Sequence, residues 1–173
     1  MTLTPSVEKF ISSWGEMASK WCINRTVAEV HALFFLAKDP LSAEDVAQVL
    51  SLSRSNVSAA LRELESRRLI SSVHFRGERK QYFEAIKDPL EVFRVILDDQ
   101  KRRVIDPSLD AFRTCLEEQK RSSPEDAHTA ERMREVVDLF AAVIPLYEEL
   151  RYLSRGSIHN LFRITASIRG LLS

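Results

Sequence analysis

Glycine is scarce here, with four in 173 residues, and none lies in a Gly-rich loop of the kind that cradles phosphates. Cysteine is nearly absent. Cys22 and Cys115 stand far apart, form neither a CxxC nor a Cys/His metal spacing, and fall on apolar faces, so both are expected to be inert core residues. His31, His74, His128 and His159 are scattered over different elements, none with a partner at triad or metal-ligand spacing. His31 reads as a core-edge histidine. No enzyme, no metal and no cofactor is therefore expected. No apolar run approaches the ~18 residues that a membrane span needs. The opening MTLTPSVEKF lacks a basic region followed by an apolar core. No membrane partner and a cytoplasmic location are expected. Formal net charge is zero, so any affinity for a polyanion must come from local clustering.

What is present is a helix-forming chain, 45% hydrophobic, with enough apolar residues for one core and a helical appendage. Residues 42–85 are the most informative stretch. Ser42 followed by Asp45 resembles a capping box opening a helix that turns Val46, Ala47 and Leu50 inward. Ser51-Leu52-Ser53 is the turn, with Ser51 where a Gly is usual, Leu52 plugged into the core and Ser53 as the next N-cap. Val57, Ala60, Leu61 and Leu64 then continue a buried stripe at helical spacing. The outer face of that second helix carries Arg54, Ser55, Asn56, Ser58, Ala59 and Arg62. Arg can bond guanine bidentately, Asn can do so with adenine, Ser is tolerant, and Ala can touch a thymine methyl.

Beyond Arg67-Arg68, Leu69-Ile70 returns to the core. Val73 and Phe75, then Tyr82, Phe83 and Ile86, form β-type runs on either side of a Gly turn, which predicts a hairpin. Its tip holds Arg76, Arg79 and Lys80, placed to lie along phosphates or enter the minor groove. Between Arg54 and Lys80 there are seven basic residues against three acidic ones. Basic charge is concentrated on this stretch. Helix, turn, helix and basic hairpin together predict a winged helix-turn-helix that reads double-stranded DNA. The alternative is a winged-helix module that docks a protein partner through the same charged surface.

SRSNVSAALRELESRRLI followed by GERKQYFEA, with WGEMASKWCINRTVAEVHALFFLAKDPLSAEDVA upstream, resembles the GbsR-type branch of the MarR superfamily of regulators. The resemblance runs over roughly residues 8–118. It implies a dimeric transcriptional regulator in which Arg54, Ser55, Asn56 and Ser58 contact bases and Arg76, Arg79 and Lys80 contact DNA from the wing. Ser55 replaces a Gly common in relatives, and Arg67-Arg68 a more apolar pair, so the preferred operator is expected to differ.

The flanks read as dimerisation helices. Val7, Phe10, Trp14, Met17 and Trp21 make an apolar seam on the first helix. Thr26 with Glu29 is a second capping box, opening a helix that bears Val27, Val30, Phe34 and Ala37. Pro89 starts another helix, in which Asp106-Pro107 either caps a new helix or kinks one long one. After a linker at 122–126, with Pro124 fit for a first helical position, Met133, Val136, Phe140, Val143, Tyr147 and Leu150 form a regular seam containing Pro145. A last short helix is expected over 157–172. Arg151, Arg155, Arg163 and Arg169 follow the last acid, Glu149, and are expected to pair with acids of a neighbouring subunit.

The expected organisation is thus an N-terminal dimerisation helix (1–23), a winged domain (24–88) and a C-terminal helical dimerisation region (89–173). The expected function is a homodimeric repressor whose two reading helices enter successive major grooves. A small-molecule effector that favours another half-site spacing would release the operator. As the resemblance implies, such a ligand would sit between winged domain and dimer helices. Trp14, Trp21, Phe93 and Tyr147 are the candidate lining, able to cage a cation such as a quaternary ammonium.

Overall fold

The computed structural model describes residues 3–20, 23–77, 79–122, 126–152 and 156. The chain divides into two compact units, one ending at Ile96 and one beginning at Leu97. It is mostly helical, with one small antiparallel sheet.

In the first unit, α1 (Pro5–Ser19) starts on a Thr4 cap with Pro5 in the first turn, where a missing N–H costs nothing. α2 (Arg25–Leu36) is capped by Asn24, whose Oδ1 accepts from the Val27 N–H at 3.3 Å. The expected Thr26/Glu29 capping box does not form. Glu29 instead accepts from Arg25 Nε at 2.8 Å, and Arg25 also donates to Ser12 on α1 at 3.1 Å. The two helices approach closely at Gly15, where an added Cβ would lie 2.7 Å from Glu29 Cγ. α1 turns Ile11, Gly15 and Ala18 into α2. Val7 and Trp14 are half-buried, while Phe10 and Met17 stay exposed.

α2 is apolar almost all round and lies at the centre of the unit. Val30, Leu33 and Phe34 are fully buried, with Val46, Val57 and Leu64 closing over them. His31 is buried in the same helix rather than at its edge, only 2% exposed. α3 (Ala43–Val49) opens on the predicted box. Ser42 Oγ accepts from the Asp45 N–H, and Asp45 Oδ2 accepts from the Ser42 N–H at 2.8 Å. α4 (Arg54–Ser66) starts at Ser53, whose Oγ accepts from Asn56 N–H, and buries Val57, Ala60, Leu61 and Leu64 as expected.

Both helices close in the same way. The Leu52 N–H reaches the Ala47 carbonyl and the Leu69 N–H the Leu64 carbonyl, each at 3.0 Å, across a residue in left-handed backbone. Those residues are Ser51 (φ 52°) and Arg68 (φ 62°). Ser51 therefore takes the conformation that the usual Gly supplies.

The hairpin is β2 (Ile70–Val73) and β3 (Tyr82–Ala85), paired Ile70 with Ala85 through Val73 with Tyr82. A short strand missing from the sequence reading, β1 (Leu41–Ser42), pairs with the other edge of β3, giving the order β1-β3-β2. From the end of β3, Lys87 donates to the carbonyls of Phe34 at 2.6 Å and Ala37 at 2.5 Å, closing the C-terminus of α2.

α5 (Pro89–Gln100) leads into a π-helical turn (Lys101–Ile105) and then α6 (Asp106–Ser122). Pro107 is the second residue of α6, directly after the π-helical turn. Having no N–H, it cannot bond the preceding turn, and the wider turn before it sends the Asp106 N–H to the Lys101 carbonyl. In the second unit α6 packs on α7 (Ala127–Tyr152), burying Leu109 and Leu116 and setting Phe112 edge-on to Phe140, 5.6 Å between ring centres. α7 begins one residue after Asp126, which accepts from the Thr129 N–H at 3.0 Å, so Ala127 holds the first position expected for Pro124. Pro145 does lie within α7. Cys115 is exposed, because α6 buries its neighbour Leu116 instead. Cys22, Pro124, the Leu150 and Arg151 side chains, the 157–172 helix, Arg155, Arg163 and Arg169 lie outside the described residues.

Candidate nucleic-acid interface

Burial of its apolar stripe fixes which side of α4 faces water. Arg54, Ser55, Asn56, Ala59 and Arg62 are exposed on that side and Ser58 is half-buried. Ser53 and Ser55 join hydroxyls at 3.0 Å beside the N-terminus, while Arg62 donates back to Ser58 at 2.6 Å. Arg62 is thus held along the helix. Arg67 is set apart from this group, being mostly buried and paired with Glu63 at 2.9 Å, so its role is to tie the end of α4.

The wing turns at Gly77, whose φ of +91° suits glycine. Arg76 and Arg79 are exposed there. The base of the wing is stiffened by Phe75 set edge-on to Tyr82 at 5.0 Å. Lys80 is also exposed but has a partner, the Glu44 carboxylate at the start of α3. That hydrogen bond, more than simple attraction, holds the Lys80 ammonium above and the Glu44 carboxyl below their usual proton affinities. A cleft of about 370 Å³ opens between α3, α4 and β3, with Glu44, Ser58, Arg62 and Lys80 on its walls and Phe83 at its base. The structure so brings α4 and the wing onto one unit, as the sequence implied. Glu44 was missed because its partner is 36 positions away, beyond any periodicity.

Trp14 lines a second, apolar pocket of about 30 Å³ with Met17, Val27, His31 and Ile96. Its ring stands 5.9 Å from His31 and 6.1 Å from Phe35. His31 Nε2 has no hydrogen-bond partner among the described residues, and burial, helped by the Lys87 charge, lowers its pKa to about 4. Of the other candidate lining residues, Trp21 lies outside the described residues. Phe93 is exposed on α5 and does not line this pocket. Tyr147, in the second unit, donates to Asp98 at 2.6 Å. Among the described residues no helix is long and apolar enough to cross a membrane.

No curated protein matches the chain. A solved structure described as a transcriptional regulator is 19% identical, covers 85% of this chain and 96% of its own, and superposes with a TM-score of 0.67. At that identity the likeness is one of fold. Looser likenesses include S. aureus MepR in DNA-binding conformation (16% identity, 79% of this chain and 91% of that, TM-score 0.40). Another is an S. aureus MepR–DNA complex (17%, 76% and 89%, TM-score 0.37). Residues 23–81, from the residue before the Asn24 cap to the residue before β3, match the MarR family.

Proposed function

We propose that this protein is a sequence-specific regulator of transcription, of the GbsR-type branch, that binds double-stranded DNA as a homodimer and represses. The observation that carries the reading is the outer face of α4. It presents Arg54, Ser55, Asn56 and Arg62 to solvent beside exposed Arg76 and Arg79, while the opposite face is locked in the core. Those side chains match the hydrogen-bonding groups of base edges, and the wing cations match phosphates. Residues 24–88 would read DNA. Residues 1–23 and 89–173 would pair two copies through apolar side chains left exposed on α1, α6 and α7, among them Phe10, Met17, Phe112 and Val143.

The pocket beside Trp14 supports an effector site on α1 and α2. Its small volume means that a ligand must open it, which would couple binding to the position of α1.

Selection of bound fragments from the source genome, followed by Asn56→Ala, tests the proposal. The substitution should weaken the selected site by about 1–3 kcal/mol and relax preference at one base pair. Unchanged discrimination would remove α4 as the reader. A protein-docking module would bind no random duplex at moderate salt, whereas a DNA reader should bind it with roughly micromolar or somewhat weaker affinity.

A further inference from the structure

Arg62 lies far along α4 for a residue that meets bases. A reading helix contacts base edges mainly through its N-terminal residues, and Arg62 stands about 12 Å down the axis from Arg54, at about 1.5 Å per residue. Its side chain does not stay at that level. Long side chains in a helix lean toward the N-terminus, and Arg62 Nη1 donates to Ser58 Oγ at 2.6 Å. The guanidinium is so drawn back by about one turn, to the level of Ser58 in the first half of the helix. Glu65 lies on the wall of the same cleft, yet among the described residues the side-chain partner of Arg62 is Ser58. Ser58 itself is poorly placed to touch a base. It is half-buried where Ser55, Asn56 and Ala59 are exposed, and its hydroxyl oxygen is already in use as an acceptor.

We propose that Ser58 acts on DNA through Arg62: Ser58 is a positioning residue, and Arg62, held by it, is a specificity-determining residue that reads one guanine. This rests on the DNA-binding reading above. A guanidinium carries its N–H donors in one plane as a rigid fork. The bond to Ser58 engages Nη1 and leaves the Nε–Nη2 edge free, a two-donor edge that matches guanine O6 and N7. The base contact therefore uses donors that Ser58 does not, and no bond has to break when the duplex arrives. Immobilising a long side chain on binding weakens affinity by about two- to ten-fold. Arg62 is partly ordered before the encounter, so less of that loss remains. The gain falls on the operator, because binding to arbitrary sequence comes almost wholly from phosphate neutralisation and does not need a guanine at that point.

The test is Ser58→Ala, Arg62→Ala and the double substitution in the full chain. Each is titrated against the selected operator, operators changed at one base pair at a time, and a random duplex. Alanine is a better helix former than serine, so Ser58→Ala keeps α4 intact. Arg62→Ala should weaken the operator about five- to 100-fold and abolish the preference for guanine at one base pair. Ser58→Ala should weaken it about two- to five-fold and relax preference at that same base pair. Once Arg62 is replaced, Ser58→Ala should add little. Four results would overturn the proposal. They are unchanged operator affinity in Ser58→Ala, a preference altered at a different base pair, a full effect of Ser58→Ala without Arg62 (Ser58 then touches DNA itself), and equal weakening of operator and random duplex by Arg62→Ala (the fork then lies on a phosphate). A wild-type protein that binds neither duplex at any salt would overturn the DNA-binding reading itself, and the roles of Ser58 and Arg62 with it.

Discussion

Up to Ile96 the apolar side chains gather into one cluster that runs from Ile11 on α1 to Val92 on α5, with Val30, Leu33, Phe34 and Val46 shut off from water. From Leu97 on, the only buried apolar side chains among the described residues are Leu109 and Leu116, while Val104, Phe112, Val136, Leu139 and Val143 remain exposed. Both units are amphipathic, yet the first encloses a large core while leaving Phe10, Met17, Phe75 and Phe93 exposed, and the second buries little. The second has the side-chain pattern of a half-core. Such a surface is a cost in a lone chain and a gain once covered, which is the physical ground for the proposal that these helices pair with a second copy.

The contrast can be broken most directly by truncation. Phe34→Ala should destabilise the first unit by about 3–5 kcal/mol, read from urea unfolding, whereas Leu139→Ala, at a site 62% exposed, should shift unfolding of the isolated chain by under about 0.5 kcal/mol. Equal losses would mean that the second unit also has a closed core.

Acid offers a second probe, aimed at the first unit alone. His31 is neutral in the fold, with its pKa lowered from 6.5 to about 4 by burial and then by the Lys87 charge. The unfolded chain therefore takes up a proton before the folded one. The stabilisation is complete above pH 6.5 and falls away as pH drops toward 4, by about 3 kcal/mol in total. Urea midpoints of wild type and His31→Leu, compared across that window, isolate this contribution, and a slope unaffected by the substitution would place the titration elsewhere.

The third probe sharpens the assignment of the second unit. Leu139→Glu should leave helix content unchanged but raise the dimer dissociation constant at least about ten-fold, about 1.4 kcal/mol, in sedimentation equilibrium. Unchanged association would exclude this part of α7 from the interface. The smallest effect is expected at Ser51, where Gly relieves left-handed backbone strain. Ser51→Gly should stabilise the first unit by about 0.5–1 kcal/mol, visible as a higher urea midpoint.

Where the sequence was legible, the governing physics was local. The Ser42/Asp45 box, the Ser53 cap, the buried stripe of α4 and the Gly77 turn all depend on residues within a few positions of one another. The misreadings have a different origin. Thr26 and Asn24 are both good caps, and the choice between them was made by Arg25, which draws Glu29 away toward α1. The face of α1 that meets α2 is set by small residues, Gly15 and Ala18, which an apolar pattern does not mark. β1 is two residues long and has no pattern of its own; it exists because β3 offers a free edge. The charged surface was found as a composition, but the pairing of Lys80 with Glu44, 36 positions apart, needed the tertiary fold.

The left-handed residues that close α3 and α4 have one more consequence. Since backbone hydrogen bonds across Ser51 and Arg68 and a buried stripe hold α4 in place, its solvent side contributes little to the fold. Residues there can be exchanged by single mutations with the scaffold intact. If α4 reads DNA as proposed, a gene duplicate of this protein could acquire a new target site through a few changes between Arg54 and Arg62, with the same folding stability.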